Sequence, residues 1–381
     1  MTKTIYMDYA AATPIKPAVF EAMKPFFSEK FYNPSALYTG ARDVKAILET
    51  ARASVGQSIG ARPSEIIFTA GGTESANLAI CGVMDGFDSN AELIVSAIEH
   101  DAVLKPAFKF NAKIAPVDTK GRVDVAKLVD MITDNTVLIS VMYANNEVGT
   151  VQPIKELAEK VNEIRRNRRK NGLDKPLYLH TDAAQAPQYL DINIARLGVD
   201  LMTLNGGKIY GPKQSGILFI KAGVKISAQI IGGGQEFGLR SGTENVANCI
   251  GFAKALEISA PKHKENAKTV SKLSEYFITK LEKDFSVTLN GHRKFRLPNN
   301  IHVTIPDTDN ERVIFYLDQA GVFAATGSAC SASSDEASHV LLAMGLNETE
   351  ARSSIRFTIA KETTTEEIDE VSRILKEAVL A

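Results

Sequence analysis

Six short apolar runs separated by helical stretches fill the first two-thirds of the chain, and that alternation leaves few folds open. The runs are Glu65–Thr69, Leu93–Ser96, Val137–Tyr143, Leu177–Thr181, Leu201–Leu204 and Gly216–Ile220. Several are apolar throughout rather than alternating with polar residues, as strands buried on both faces of a parallel sheet are. Helical patterns lie between them, among them Val44–Val55, Glu74–Met84 and Ile154–Arg169. The order predicts an α/β fold, a mainly parallel sheet covered by helices, with its ligand site at the carboxyl ends of the strands. Past residue 257 the pattern changes to a polar helix (Lys262–Asp284), the strand-like NNIHVTI, a Gly/Ala/Ser-rich loop, a short helix and an amphipathic helix over Thr364–Leu380. This predicts a large domain over residues 1–257 and a smaller α+β domain over 258–381. A chain of 381 residues has room for both.

Charge and composition exclude several roles. The 44 Lys and Arg residues nearly balance the 45 Asp and Glu, so the net charge of −1 supplies no general attraction to nucleic acid or an anionic membrane. No run approaches the ~18 apolar residues of a membrane span, and the amino-terminal MTKTIYMDYAAATP lacks the apolar stretch of a signal peptide. Cys81, Cys249 and Cys330 are odd in number and widely spaced, against a disulfide framework or a CxxC metal site. A cytoplasmic protein without a metal site is the expectation. The run Arg165–Lys170 is read as a solvated helix end, with a docking patch for an acidic protein as the alternative.

The most chemically specific stretch begins at Tyr178. Asp182 closes one apolar run in YLHTDAAQ, and Lys208 closes the next in DLMTLNGGKIYGPK. A carboxylate and a lysine leaving neighbouring buried strands suit pyridoxal phosphate: the lysine holds the cofactor as a Schiff base and the carboxylate keeps its ring nitrogen protonated. EIIFTAGGTESANLAI reads as strand, glycine turn and helix, an anion site at Gly72 and Thr73. His100 follows the strand-like ELIVSAIEH. It is read either as a capping residue or as one that stacks on a cofactor ring and moves protons. YANNEVGTV places paired asparagines at a strand exit, as turn-formers or ligand donors. In GGGQEFGLRSGT, Arg240, Ser241 and Thr243 are suitable phosphate donors. Cys330 sits among small polar residues, unlike the inert pair Cys81 and Cys249. Arg356 lies in the strand-like SSIRFTI and has the planar fork that clamps a carboxylate.

Taken together, NPSALYTGAR, FTAGGTESANLAI, EHDAVL, ANNEVGTVQPI, HTDAAQ, KIYGPK, GGGQEFGLRSGTEN, TGSACSAS and SSIRF resemble the cysteine desulfurases of the class V aminotransferase group over nearly the whole chain. The GSAC loop resembles the nitrogen-fixation and iron–sulfur-cluster branch. The resemblance implies fold type I of the pyridoxal-phosphate-dependent transferases and removal of sulfur from L-cysteine, giving L-alanine and a persulfide on Cys330. By the same resemblance Lys208 binds the cofactor, Asp182 pairs with its ring nitrogen, Gln185 bonds its phenolic oxygen and His100 stacks on the ring. Thr73 binds phosphate within one subunit and Thr243 reaches it from the other, which implies a homodimer. Asn146 and Arg356 hold the substrate carboxylate. A sulfur-acceptor protein, either an iron–sulfur scaffold or a tRNA-thiolation protein, is the implied partner.

The chain departs from the family at the phosphate. The usual Ser-x-His-Lys is here Asn205, Gly206, Gly207 and Lys208. Asn205 can still donate, whereas Gly207 offers only backbone. One hydrogen bond to a charged group is worth about 1.5–3 kcal/mol, so the cofactor should bind roughly ten- to a hundredfold more weakly. Tyr38 replaces a common histidine and Phe237 a common arginine, suggesting a re-formed phosphate and entrance region. Cys330 argues against a simple transaminase, and Lys208, Asp182, His100 and Cys330 argue against a homologue that only binds partners.

Overall fold

The computed structural model describes residues 4–327 and 337–380, so Cys330 lies outside the described residues. All six expected strands enter one seven-stranded sheet. Its order is Ile66–Thr69, Gly216–Ile220, Leu201–Asn205, Tyr178–Asp182, Thr136–Ser140, Glu92–Ser96 and Lys113–Ala115. The neighbours from Leu201–Asn205 to Lys113–Ala115 pair in parallel, and Gly216–Ile220 runs antiparallel to both of its partners. The link over residues 206–215 explains that reversal, because it is too short for the crossover helix that a parallel return needs.

Side chains alternate across each strand, and both sets are buried. Ile66, Phe68, Ile217 and Phe219 belong to one core, with Val55, Ile59, Phe252 and Leu256 from the helices Thr39–Ile59 and Val246–Ser259. Ile67, Leu218 and Ile220 belong to the other, with Leu78, Ala79, Val83 and Val103 from Gly72–Met84 and Asp101–Phe108. Burying an aliphatic or aromatic side chain of this size contributes about 1.5–3 kcal/mol, which is why these runs carry no polar alternation.

A second, antiparallel sheet runs Ser354–Thr358, Asn300–Thr304, Thr288–Leu289. The helices His263–Asp284, Asn310–Gln319 and Thr365–Leu380 accompany it around Phe277, Leu281, Val313, Phe357 and Ile374. The chain start joins this body: Ile5–Tyr6 pairs in parallel with Val322–Phe323, and Ile5 and Met7 lie in the same core as Phe277 and Phe357. Asp8–Ala11 is thereby led back to the carboxyl edge of the large sheet.

The basic run divides, and the plain reading of it as a solvated helix end is corrected. Arg168 is buried and donates to the carbonyls of Thr133, Thr136, Lys175 and Pro176, while Arg165 pairs with Asp200 and donates to Leu177 O. Only Arg166, Arg169 and Lys170 of that run are exposed cations. Carbonyls at the ends of buried strands need donors, and these two arginines supply them.

Candidate active site

Asp182 and Asn205 are the last residues of adjacent parallel strands, and Lys208 follows in a short 3-10 turn. Their side chains open into a cavity of ≈ 200 Å³ that is also lined by Gly72, Thr73, His100, Asn146, Gln185 and Arg356. Nine of the eleven expected site residues thus meet at the sheet's carboxyl edge. Thr243 is not among them; it is exposed and lines a separate recess with Arg240, Glu244 and Cys249. Cys330 lies outside the described residues.

Lys208 Nζ donates to the carbonyls of Ala10 (2.7 Å) and Ala11 (2.6 Å), and Gln185 Nε2 donates to Ala10 O at 3.0 Å. The sequence reading missed Ala10 and Ala11, because a backbone acceptor leaves no side-chain signature. Asp182 accepts from Ala184 N at 2.9 Å, and burial pushes its carboxyl up from the ordinary range despite the opposing effects of His100 and Lys208. Such a group is one that a bound cation would hold ionised.

The capping reading of His100 is met, and the residue also stands at the cavity. It caps the helix Asp101–Phe108, its Nδ1 accepting from Ala102 N at 3.0 Å, and its ring lines the cavity. With Nδ1 an acceptor, Nε2 carries the proton of the neutral ring.

The anion cradle stands at the start of the helix Gly72–Met84, whose first N–H groups have no acceptor within the helix. Gly71 enters it at φ 129°, a left-sided conformation that favours glycine. A Cβ on Gly72 would lie 3.3 Å from Asn205 Nδ2, so the glycine lets the Asn205 amide stand directly beside the helix start. Asn205 Oδ1 accepts from Gly207 N at 3.0 Å, which leaves Nδ2 as the cradle's donor. Arg240 is instead paired with Glu74 at 2.9 Å, and Ser241 Oγ accepts from Gly234 N. Tyr38 and Phe237 do not line the cavity: Tyr38 packs edge-on to Tyr32, and Phe237 lies over the Arg52 guanidinium. The expectation that they reshape its entrance is not met within one chain.

Arg356 enters from the small sheet. Its Nη1 donates to Asn146 O at 3.1 Å and its Nη2 to Asp8 Oδ1 at 2.7 Å, while Nε is buried without a hydrogen-bond partner among the described residues. Asn146 is presented by a tight loop. Asn145 Oδ1 accepts from the N–H groups of Glu147 and Val148, and Gly149 turns at φ 75° where a Cβ would meet Asn300 at 2.8 Å. The sequence reading also missed Asp8, which orients Arg356.

These residues fit pyridoxal phosphate: a lysine and an aspartate on adjoining strand exits, a donor cradle for its phosphate and a buried guanidinium for an α-carboxylate. The profile of the family described as aminotransferase class V matches residues 5–371. A curated relative from Dictyoglomus turgidum named cysteine desulfurase IscS is 42% identical over all of this chain and 95% of its own length. A solved NifS-like protein superposes with a TM-score of 0.90 at 32% identity, covering 98% of this chain and 99% of its own. Another, SspA, solved in complex with cysteine, gives a TM-score of 0.81 at 32% identity over 95% of this chain and 100% of its own.

Proposed function

The chain belongs to the class V aminotransferase family and its cysteine desulfurases, and from that premise we propose how its own residues take sulfur from L-cysteine. The observation that carries the reading is the convergence of Lys208, Asp182, His100, Asn205 and Arg356, from separate stretches of sequence, on one cavity.

Lys208 would hold pyridoxal phosphate covalently, with Asp182 at its ring nitrogen, Gln185 at its phenolic oxygen and His100 against its face. Gly72, Thr73 and Asn205 would take the phosphate. When bound, the cofactor draws electron density from the substrate carbon and so weakens the carbon–sulfur bond. Arg356, aimed by Asp8 and Asn146 O, would hold the substrate carboxylate together with Asn146, fixing the cysteine before reaction. Lys208 and His100 Nε2 are the groups on hand to move protons at the substrate carbon. The Cys330 thiolate attacks the substrate sulfur; the S–S bond forms as the C–S bond breaks, and the carbon gains a proton to leave as L-alanine. A thiolate of a sulfur-acceptor protein, an iron–sulfur scaffold or a tRNA-thiolation protein, then takes the outer sulfur; its new S–S bond forms as the old one breaks, and Cys330 leaves as the thiolate.

A homodimer is part of this reading. Thr243 lies outside the cavity of its own chain, and Leu37 and Ile231 are each 88% exposed on this single copy. The proposed division at residues 257 and 258 is supported by a core made mainly of residues beyond 257, to which Ile5, Met7, Ala144 and Tyr189 add, while a smaller cluster of Ile98, Met142 and Val148 with Val340 and Leu341 crosses the division. Among the described residues no helix is long and apolar enough to cross a membrane; a cytoplasmic site of action is part of the proposal.

Reconstitution tests the cofactor assignment. Protein incubated with pyridoxal phosphate should turn yellow, and borohydride should fix the cofactor to the peptide containing Lys208. Protein that stays colourless, or label on another lysine, refutes the assignment.

A further inference from the structure

Glu147 is a buried carboxylate next in sequence to Asn146, and neither composition nor spacing marked it for a role. Its Oε2 accepts a 2.5 Å hydrogen bond from Ser338 Oγ. The backbone of Gly327 passes the same oxygen so closely that a Cβ there would lie 3.3 Å from it. Gly327 and Ser338 stand on the two sides of the stretch that contains Cys330, so one carboxylate oxygen is bonded to the chain on one side and lies close beside it on the other.

The surroundings of these contacts are built. Before Gly327, Ala325 pairs with the backbone of Arg356 through hydrogen bonds in both directions, Ala325 N to Arg356 O at 3.2 Å and Arg356 N to Ala325 O at 2.7 Å. After it, Ser338 caps the helix His339–Ala343, and His339 Nε2 meets the carbonyl of Glu99, the neighbour of His100, at 3.0 Å. Val340 and Leu341 pack with Ile98, Met142 and Val148. Glu147 itself is held by Asn145 Oδ1 at its N–H and by Asn300 Nδ2 at its carbonyl. A carboxylate removed from water is costly unless hydrogen-bonded, and Ser338 spans 191 residues to satisfy it.

We propose that Glu147 is a positioning residue that clasps both ends of the Cys330-bearing stretch and ties them to the loop presenting Asn146. The substrate's carboxylate contacts and the attacking sulfur would thereby share one anchor. The proposal deepens the desulfurase reading and rests on it, although the clasp can be tested separately.

The test uses the full-length holoprotein with Glu147→Ala, Glu147→Gln and Ser338→Ala. Loss of a hydrogen bond to a charged group is worth about tenfold to a hundredfold. Glu147→Ala and Ser338→Ala should each lower kcat for alanine release from L-cysteine by that factor, leaving KM and the cofactor absorbance within about twofold of wild type. Glu147→Gln keeps an acceptor oxygen and should recover part of the loss, and the double alanine variant should be no worse than the more impaired single one. Limited proteolysis supplies the second readout: cleavage between residues 327 and 338 should quicken in both alanine variants while cleavage elsewhere does not. Unchanged kcat, a loss confined to KM, additive losses, or an unaltered cleavage rate in Ser338→Ala would overturn the clasp. A wild-type holoprotein that releases no alanine would count against the desulfurase reading, and the proteolysis would then decide on the clasp alone. If Glu147→Ala fails to fold, Ser338→Ala carries the same comparison from the other side of the bond.

Discussion

Replacing Gly207 by histidine should tighten cofactor binding by roughly tenfold to a hundredfold, and the backbone around Gly207 shows why the substitution can be accepted. Its φ is not in the left-handed region. Its N–H already donates to Asn205 Oδ1 at 3.0 Å, and its carbonyl accepts from Thr13 N at 3.1 Å and Thr13 Oγ1 at 3.0 Å. The turn is therefore held by contacts that a side chain would not disturb. A Cβ would stand 3.5 Å from Asn205 Oδ1 and 3.6 Å from Lys213 Cγ, ordinary van der Waals separations. One added hydrogen bond to a charged phosphate contributes about 1.5–3 kcal/mol, and each ~1.4 kcal/mol is tenfold in Kd. The assay is titration of cofactor-free protein with pyridoxal phosphate, followed by absorbance. Gly207→Ala is the control, expected within about twofold of wild type because it adds bulk and no donor. If Gly207→His binds no more tightly than Gly207→Ala, the phosphate does not lie within reach of residue 207 or another group already saturates it, and the reasoning fails.

Two further outcomes follow from buried charge. Arg52 makes a two-point pair with Glu236 at 2.7 Å for each contact, and Glu236 also accepts from Phe68 N at 2.7 Å. Both side chains are only 3% exposed, so Arg52→Met strands a carboxylate and should lower the free energy of unfolding by about 3–5 kcal/mol. A loss under about 1 kcal/mol in urea denaturation would show that the buried pair contributes little to holding Glu236 against Arg52 and Phe68. Glu99 is fully buried, and burial pushes its carboxyl up from 4.5 to about 8. The folded protein keeps that proton while the unfolded chain releases it, so this contribution to stability is complete below pH 4.5 and is lost as pH rises toward 8. Glu99→Gln cannot lose a proton, and the gap between mutant and wild type should move in the mutant's favour by up to ~1.4 kcal/mol per pH unit across that window. Parallel stability curves for the two proteins would contradict this.

Much of the fold was legible because burial on both faces writes itself as uninterrupted apolar runs: all six expected strands form, and only the short edge strand Lys113–Ala115 escaped notice in the large sheet. The two-residue pairing of Ile5–Tyr6 with Val322–Phe323 joins distant parts of the chain and has no periodicity to reveal it. Within the site, Asp182, Lys208 and His100 were legible because they follow strands whose carboxyl ends must face a ligand. Ala10 and Ala11 were not, since they act through carbonyls. The Arg52–Glu236 pair spans 184 residues and obeys no local rule. Glu147 was visible only as one letter of YANNEVGTV, and its partner Ser338 lies far along the chain. Tyr38 and Phe237 were placed in the entrance on likeness alone, where the single chain does not put them.

The central claim is that sulfur leaves L-cysteine and settles on Cys330. The most direct test incubates holoprotein with L-cysteine and compares wild type with Cys330→Ala for alanine release, with mass analysis of the Cys330 peptide. The account predicts stoichiometric or catalytic alanine from wild type, one added sulfur on Cys330, and loss of both in a variant that stays as yellow as wild type. Undiminished alanine release by Cys330→Ala, or added sulfur on Cys81 or Cys249 instead, would contradict it.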